Sequence, residues 1–220
     1  MPVRKIPKNY ISVTGAFASR KNEEMAEFES LLERDYLLLL EFDETVESFE
    51  VQPVRIPVSG VPKGYVPDVL VKYRVNPRSG GNRKPRLVDV KHKDDLEKNE
   101  KKYAPKFAAA HQYCKERGWE FATVDHTEIR TPRLANLRFL REYRNVSASQ
   151  DDIRQVIAVM GKLKGVATSN SLLNNLGKSN DEILRWLPVV WSMLLSGHLT
   201  TDMDSPFTND VPLNLAGAAL

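Results

Sequence analysis

Apolar residues recur at three- and four-residue steps through Met25, Phe28, Leu32, Tyr36 and Leu39. This is the spacing of one helix face, and it predicts an amphipathic helix over residues 23–41. The pattern then turns to loose alternation. "VESFEVQPVRIPV" (46–58) is interrupted by prolines, as an edge strand would be, and "GVPKGYVPDVLVKYRV" (60–75) predicts a second strand after a glycine-marked turn. "NPRSGGNRKP" (76–85) reads as a basic hairpin loop and "RLVDVKHK" (86–93) as the returning strand. Asp94 or Asp95 can cap a helix through "LEKNEKKY", with Pro105 in the first turn of a continuation that ends at Gly118. "WEFATVDH" (119–126) predicts a further strand, and Leu134, Leu137 and Leu140 a helix starting near Pro132. The order of helix, three strands, helix, strand and helix predicts an α/β domain, a mixed sheet flanked by helices.

After Arg144 the composition shifts to Ser, Asn and Asp, and "NVSASQ" marks a boundary. The expected organisation is a basic extended arm over 1–22, an α/β domain over 23–145 and a smaller domain over 146–220. In the last, Ile153, Val156, Ile157 and Met160 define one helix and "SNSLLNNLG" a second. Ser179 with Glu182 forms a capping box for a third helix, which Pro188 would kink. A terminal hairpin completes the pattern of a winged helix.

The chain has 220 residues, 41% hydrophobic and 28% charged, with a net charge of +3. Residues 1–144 hold 27 Lys and Arg against 22 Asp and Glu, whereas 145–220 hold 5 against 7. The basic excess in the larger part is compatible with a phosphate backbone as partner. Neither a membrane-spanning run nor the apolar core of a signal peptide is visible, so a cytoplasmic protein without a membrane partner is expected. Cys114 is the single cysteine, and His111 is the nearest base on its helix. With no Gly-Xaa-Ser-Xaa-Gly or phosphate-loop pattern, the sequence points away from covalent catalysis. His111 has no companion at metal-ligand spacing and reads as a packing residue.

The informative stretch is "LVDVKHK". Alternation sends Leu87, Asp89 and Lys91 to one face of the strand and Val88 and Val90 to the other, with Asp89 and Lys91 about 7 Å apart. If the two strands pair across the loop, Asp68 comes close to Asp89. Like charges so placed repel unless a cation lies between them, and hard oxygen ligands suit Mg²⁺, with Mn²⁺ substituting. Lys91 would then orient water or stabilise charge on a phosphate. A third carboxylate could come from the first helix, where Glu29 and Glu33 share a ridge.

These residues resemble the PD-(D/E)xK nuclease superfamily. More narrowly, "FESLLERDYLLLLEFDETVESFEVQPVRI", "YVPDVLV" and "LVDVK", in that order, resemble the TnsA-type endonuclease subunits of heteromeric transposases over most of residues 25–130. The resemblance implies a restriction-endonuclease-like core, catalytic roles for Glu33, Asp68, Asp89 and Lys91, and Mg²⁺ held by the three acids. It selects Glu33 over Glu29. The family often has Glu or Gln where Asp89 stands, and Asp, one methylene shorter, is still a competent ligand. The implied activity is cleavage of the non-transferred strands at the 5′ ends of a transposon. The implied partners are transposon-end DNA, an integrase-class TnsB-like transposase, and a TnsC-like AAA+ ATPase regulator engaged by the C-terminal domain. The rival readings are a free-standing restriction or repair nuclease and a non-catalytic adaptor between transposase and regulator. Arg20, Lys21, Arg78, Arg83, Lys84, Arg86 and Lys93 are the expected phosphate contacts, with His92 beside them, and Gln52 is a possible support to the site.

Overall fold

The computed structural model describes residues 13–75 and 83–217. The chain divides into two compact units, Met1–Arg130 and Thr131–Leu220. Among the described residues, no helix is long and apolar enough to cross a membrane.

In the first unit, β1 (Gly15–Phe17) pairs antiparallel with β2 (Ala26–Phe28), and α1 (Leu31–Phe42) follows. The helix therefore starts later than its apolar periodicity predicts. Ala26 and Phe28 are buried on alternate positions of a strand, and Met25 is exposed. What starts the helix is Ser30, whose side chain accepts from the Glu33 amide at 3.1 Å. Part of the expected basic arm is likewise ordered, because Phe17 is a core residue. Residues 1–12 of that arm lie outside the described residues.

Next come β3 (Val46–Val51), the hairpin β4 (Ile56–Val58) and β5 (Val61–Tyr65), β6 (Val69–Tyr73) and β7 (Arg86–Lys91). Within β5, Gly64 has φ 64°, and a Cβ there would stand 2.7 Å from the Ile56 carbonyl oxygen of the paired strand, so this position requires glycine. The chain continues through α2 (Lys93–Lys98), α3 (Glu100–Arg117), β8 (Glu120–Asp125) and α4 (His126–Ile129). The break between α2 and α3 falls at Asn99, and Pro105 lies inside α3 beyond its first turn. Gly118 ends α3 in the left-handed conformation, as its position predicts.

The main sheet has the order β3-β6-β7-β8, antiparallel except for the parallel β7–β8 pair. As its prolines suggested, the segment beginning at Val46 supplies an edge strand, β3. β7 is interior, which explains why Leu87, Val88, Asp89 and Val90 are all buried. On one side of the sheet, Leu70 and Leu87 pack with Ile56, Tyr65, Ala110 and Cys114, so α3 covers this face. Leu70 and Leu87 are also the neighbours, two residues away, of Asp68 and Asp89.

In the second unit, α5 (Pro132–Arg141), α6 (Gln150–Lys162), β9 (Val166–Thr168), α7 (Ser169–Leu176), α8 (Asn180–Leu195), β10 (Leu199–Thr200) and β11 (Pro212–Leu215) share one core. The boundary read at residue 145 differs from the division before Thr131 because α5 belongs here. Leu140 is part of this core, and the Asn136 amide donates to the carbonyls of Met203 and Ser205. The capping box of Ser179 and Glu182 is present, and α8 continues through Pro188. β9 was not visible in the pattern. It pairs with β11 to give the order β10-β11-β9.

Candidate active site

Two adjacent strands build the centre of the site. The β6–β7 ladder holds Val69 opposite Val88, and one residue further on it is remodelled by a side chain. Asp68 donates its amide to the Val88 carbonyl at 3.0 Å, while its carboxylate accepts the Val90 amide at 2.7 Å. The preceding Pro67 has no N–H to offer a neighbour. This clamp fixes the Asp68 carboxylate against the β7 backbone, on the side where alternation places Asp89 and Lys91. The Lys91 ammonium then lies 3.1 Å from Asp68 Oδ2, 3.0 Å from Asp89 Oδ2 and 3.0 Å from the Val90 carbonyl oxygen. The strand pairing inferred from the loop is present, and it brings the three residues together.

Asp89 is 1% exposed, and neither of its oxygens makes a well-formed hydrogen bond. A buried carboxylate in that state is costly, and its charge leans mainly on the Lys91 ion pair, with the Tyr65 hydroxyl also favouring it. Burial first, and then the Asp68 charge, push its pKa up to about 7, against the opposing pull of Lys91. Burial also works against the charge on Lys91, but Asp68 and Asp89 outweigh it, so the ammonium is held more firmly than in water. Tyr65 closes the far side. Its ring packs on Phe107 and Phe121, and its hydroxyl is buried beside Asp89 without a good hydrogen bond. Burial and then the Asp89 charge raise the pKa of that hydroxyl, so it stays protonated. Nothing in the alternation of "VPKGY" marked it.

Glu33 approaches from α1. Its pKa is pushed up to about 7, again by burial first and Asp68 second. In this structure its carboxylate also serves the helix start, with Oε2 accepting from the Glu29 amide at 2.8 Å and Oε1 from the Ser30 hydroxyl at 2.9 Å. "SLLE" is thus a helix-capping sequence as well as a candidate motif. Glu29 is occupied differently, its Oε1 accepting from Gln52 Nε2 at 2.9 Å. Gln52 is 6% exposed and has φ 47°, a left-handed conformation that costs a non-glycine residue roughly 1–2 kcal/mol. Its amide donates to the Asp68 carbonyl at 2.8 Å, and its Oε1 is buried without a donor.

As placed, no three His, Cys, Asp or Glu side chains among the described residues form a metal-holding group. The Lys91 ammonium sits between the aspartates instead. The donor chemistry nevertheless fits a hard divalent cation. Asp68 and Asp89 flank one ammonium, burial and then the Asp68 charge raise the pKa of both Glu33 and Asp89 to about 7, and neither Asp89 oxygen has a well-formed hydrogen bond.

The expected phosphate contacts differ in their surroundings. Lys21 is turned inward, donating to the carbonyls of Leu40 and Asp43 at the end of α1, and burial lowers its pKa. The Arg20 amide donates to Glu41 at 3.0 Å. Arg83 lies 3.8 Å over the Tyr73 ring, Lys84 is exposed, and Arg86 pairs with Glu120 at 3.2 Å. Lys93 is exposed, and its amide donates to His126 Nδ1, while the rings of His126 and His92 are 5.0 Å apart. Arg78 lies outside the described residues. His111 sets its ring edge-on to Phe121 at 5.0 Å, a packing role. Cys114 is buried, which pushes its thiol up to about 11.

Compared with known families, residues 43–126 match the model described as TnsA-like endonuclease N terminal. That span includes Gln52, Asp68, Asp89 and Lys91 and begins after Glu33. Comparison with curated proteins gives no match.

Proposed function

Because residues 43–126 belong to the TnsA-like endonuclease N-terminal family, we propose that this chain is the metal-dependent endonuclease subunit of a heteromeric transposase. In this reading it cuts the non-transferred strands at the 5′ ends of a transposon. The observation that carries the reading is the cluster of half-buried Asp68 and Lys91 with buried Asp89, with contacts of 3.0–3.1 Å, inside the matched span. Glu33, Asp68 and Asp89 would hold Mg²⁺, for which Mn²⁺ substitutes, and the ion would supply charge stabilisation and an acidified water. Asp68 is positioned for this by its bond from the Val90 amide, and Asp89 by its place on the same strand face. Lys91, kept charged by both aspartates, would stabilise the negative charge gathering on the scissile phosphate. The products would carry a 3′ hydroxyl and a 5′ phosphate.

The surrounding parts fit this assignment. Arg83, Lys84 and Lys93 would follow the DNA backbone from the loop and the strand end, with Arg20, Arg78 and Arg86 as further contacts. The C-terminal unit is read as a winged helix, supported by its order of two helices, a short strand, two helices and a two-strand return. It would engage a TnsC-like AAA+ regulator, while a TnsB-like transposase cuts the 3′ ends. A cytoplasmic site of action accords with DNA as substrate.

The test is a reconstituted excision reaction with a TnsB-like transposase and a TnsC-like regulator. Asp68→Ala is expected to abolish 5′-end cleavage and leave 3′-end cleavage in place, as is chelation of the metal before this subunit is added to an already 3′-cut substrate. If Asp68→Ala still cuts the 5′ ends, the catalytic assignment fails, and if cleavage of those ends persists with this chain left out, the chain acts at most as an adaptor. If the purified chain cuts plasmid DNA without partners, it is a free-standing nuclease.

A further inference from the structure

We propose that Gln52 is a positioning residue that sets the Glu33 carboxylate relative to Asp68; the inference rests on reading those two acids as metal ligands. Three hydrogen bonds form an unbroken path between them. The Gln52 amide donates to the Asp68 carbonyl at 2.8 Å, Gln52 Nε2 donates to Glu29 Oε1 at 2.9 Å, and the Glu29 amide donates to Glu33 Oε2 at 2.8 Å. The first link belongs to the strand edge and the last to the start of α1. Gln52 is the residue at which the two meet.

Its conformation argues that the side chain matters here. At φ 47° a glycine would sit without steric cost, whereas glutamine carries strain. In return the side chain makes a bond that glycine cannot. The orientation of the amide is decided by chemistry, since a carboxylate only accepts and Nε2 must therefore face Glu29. The other end offers no competing anchor, because Oε1 is buried with no donor among the described residues. The Glu29 bond alone orients the group. Ser30 holds the second oxygen of Glu33, so the carboxylate is gripped once by its own helix cap and once by the Glu29 amide, and Gln52 ties the Glu29 residue to Asp68.

Gln52→Gly relieves backbone strain while it removes the side-chain link together with the packing of a buried side chain. The protein is expected to stay folded, with a cooperative thermal transition in the absence of metal. Its affinity for Mn²⁺, read directly by calorimetry, is expected to fall about tenfold, the usual scale for loss of a group that orients a metal ligand. Cleavage should fall at limiting metal and recover at saturating metal. Unchanged Mn²⁺ affinity in a folded Gln52→Gly protein overturns the inference. A second pair of variants decides the matter even if that protein is poorly folded. Gln52→Glu sets two carboxylates face to face and should weaken Mn²⁺ binding, and combining it with Glu29→Gln reverses the donor and acceptor and should restore binding to within about threefold. No rescue by the double variant overturns the inference as well. Asp68→Ala distinguishes the two levels. If it binds Mn²⁺ like the parent, the ligand assignment itself fails; if it loses Mn²⁺ while Gln52→Gly does not, only the role of Gln52 fails.

Discussion

Lys91 carries the charge balance of the site. In the metal-free protein it neutralises two aspartates that would otherwise repel each other in a buried site, at 3.1 and 3.0 Å. Its removal leaves those charges uncompensated, which for buried pairs costs about 3–5 kcal/mol. Lys91→Ala is therefore expected to lower the unfolding free energy by about that much in urea titrations with chelator present, with Mg²⁺ recovering part of the loss. A pH dependence follows from the same residues. Unfolded, Glu33 and Asp89 ionise near their ordinary values, whereas folded they hold a proton up to about 7. The folded state thus binds more protons across that interval, and its stability declines as pH rises through it. The melting temperature in chelator is expected to fall from pH 5 to pH 8, by an amount of order 1 kcal/mol per pH unit in stability. Asp68→Asn, which removes the repelling charge and keeps an acceptor for the Val90 amide, should flatten that fall.

At the scale of elements, α1 is fastened at both ends by side chains whose role the linear pattern does not reveal. Ser30 accepts from the Glu33 amide at its start, and Lys21 donates to the Leu40 and Asp43 carbonyls at its finish. A cation placed on the last carbonyls of a helix also complements the dipole. Lys21→Ala is expected to cost about 1 kcal/mol of stability and leave the salt dependence of DNA binding unchanged. Lys84→Ala should leave stability alone and reduce the slope of log K against log salt by about 1. The contrast shows why basic residues in a sequence are ambiguous. Lys21 and Lys84 look alike until the chain brings a helix terminus to one of them. The start of α1 departs from the helical spacing for a related reason: Met25 and Phe28 continue that spacing, but pairing with Gly15–Phe17 turns the segment Ala26–Phe28 into a strand.

For the whole molecule, the division before Thr131 makes a direct prediction. Residues 131–220 contain a complete core, including Leu140, and the Asn136 bonds to Met203 and Ser205. That fragment is expected to fold alone with a cooperative thermal transition by circular dichroism. A fragment cut at 146 loses α5 with those bonds and should melt at lower temperature or not cooperatively.

The sequence by itself determined the strand face shared by Asp89 and Lys91, the pairing that brings Asp68 to them, and the motif order that matches a TnsA-like model over residues 43–126, because alternation and motif order are local properties of the chain. It also carried the capping box of α8 and the glycine that ends α3. Only the tertiary structure decided that Lys91 lies between the two aspartates, that Tyr65 is buried against Asp89, and that Gln52 adopts a left-handed backbone linking Glu29 to Asp68. Those facts depend on groups from separate elements meeting at about 3 Å in a site shielded from water. There a hydrogen bond or a like charge acquires a weight that linear spacing does not express.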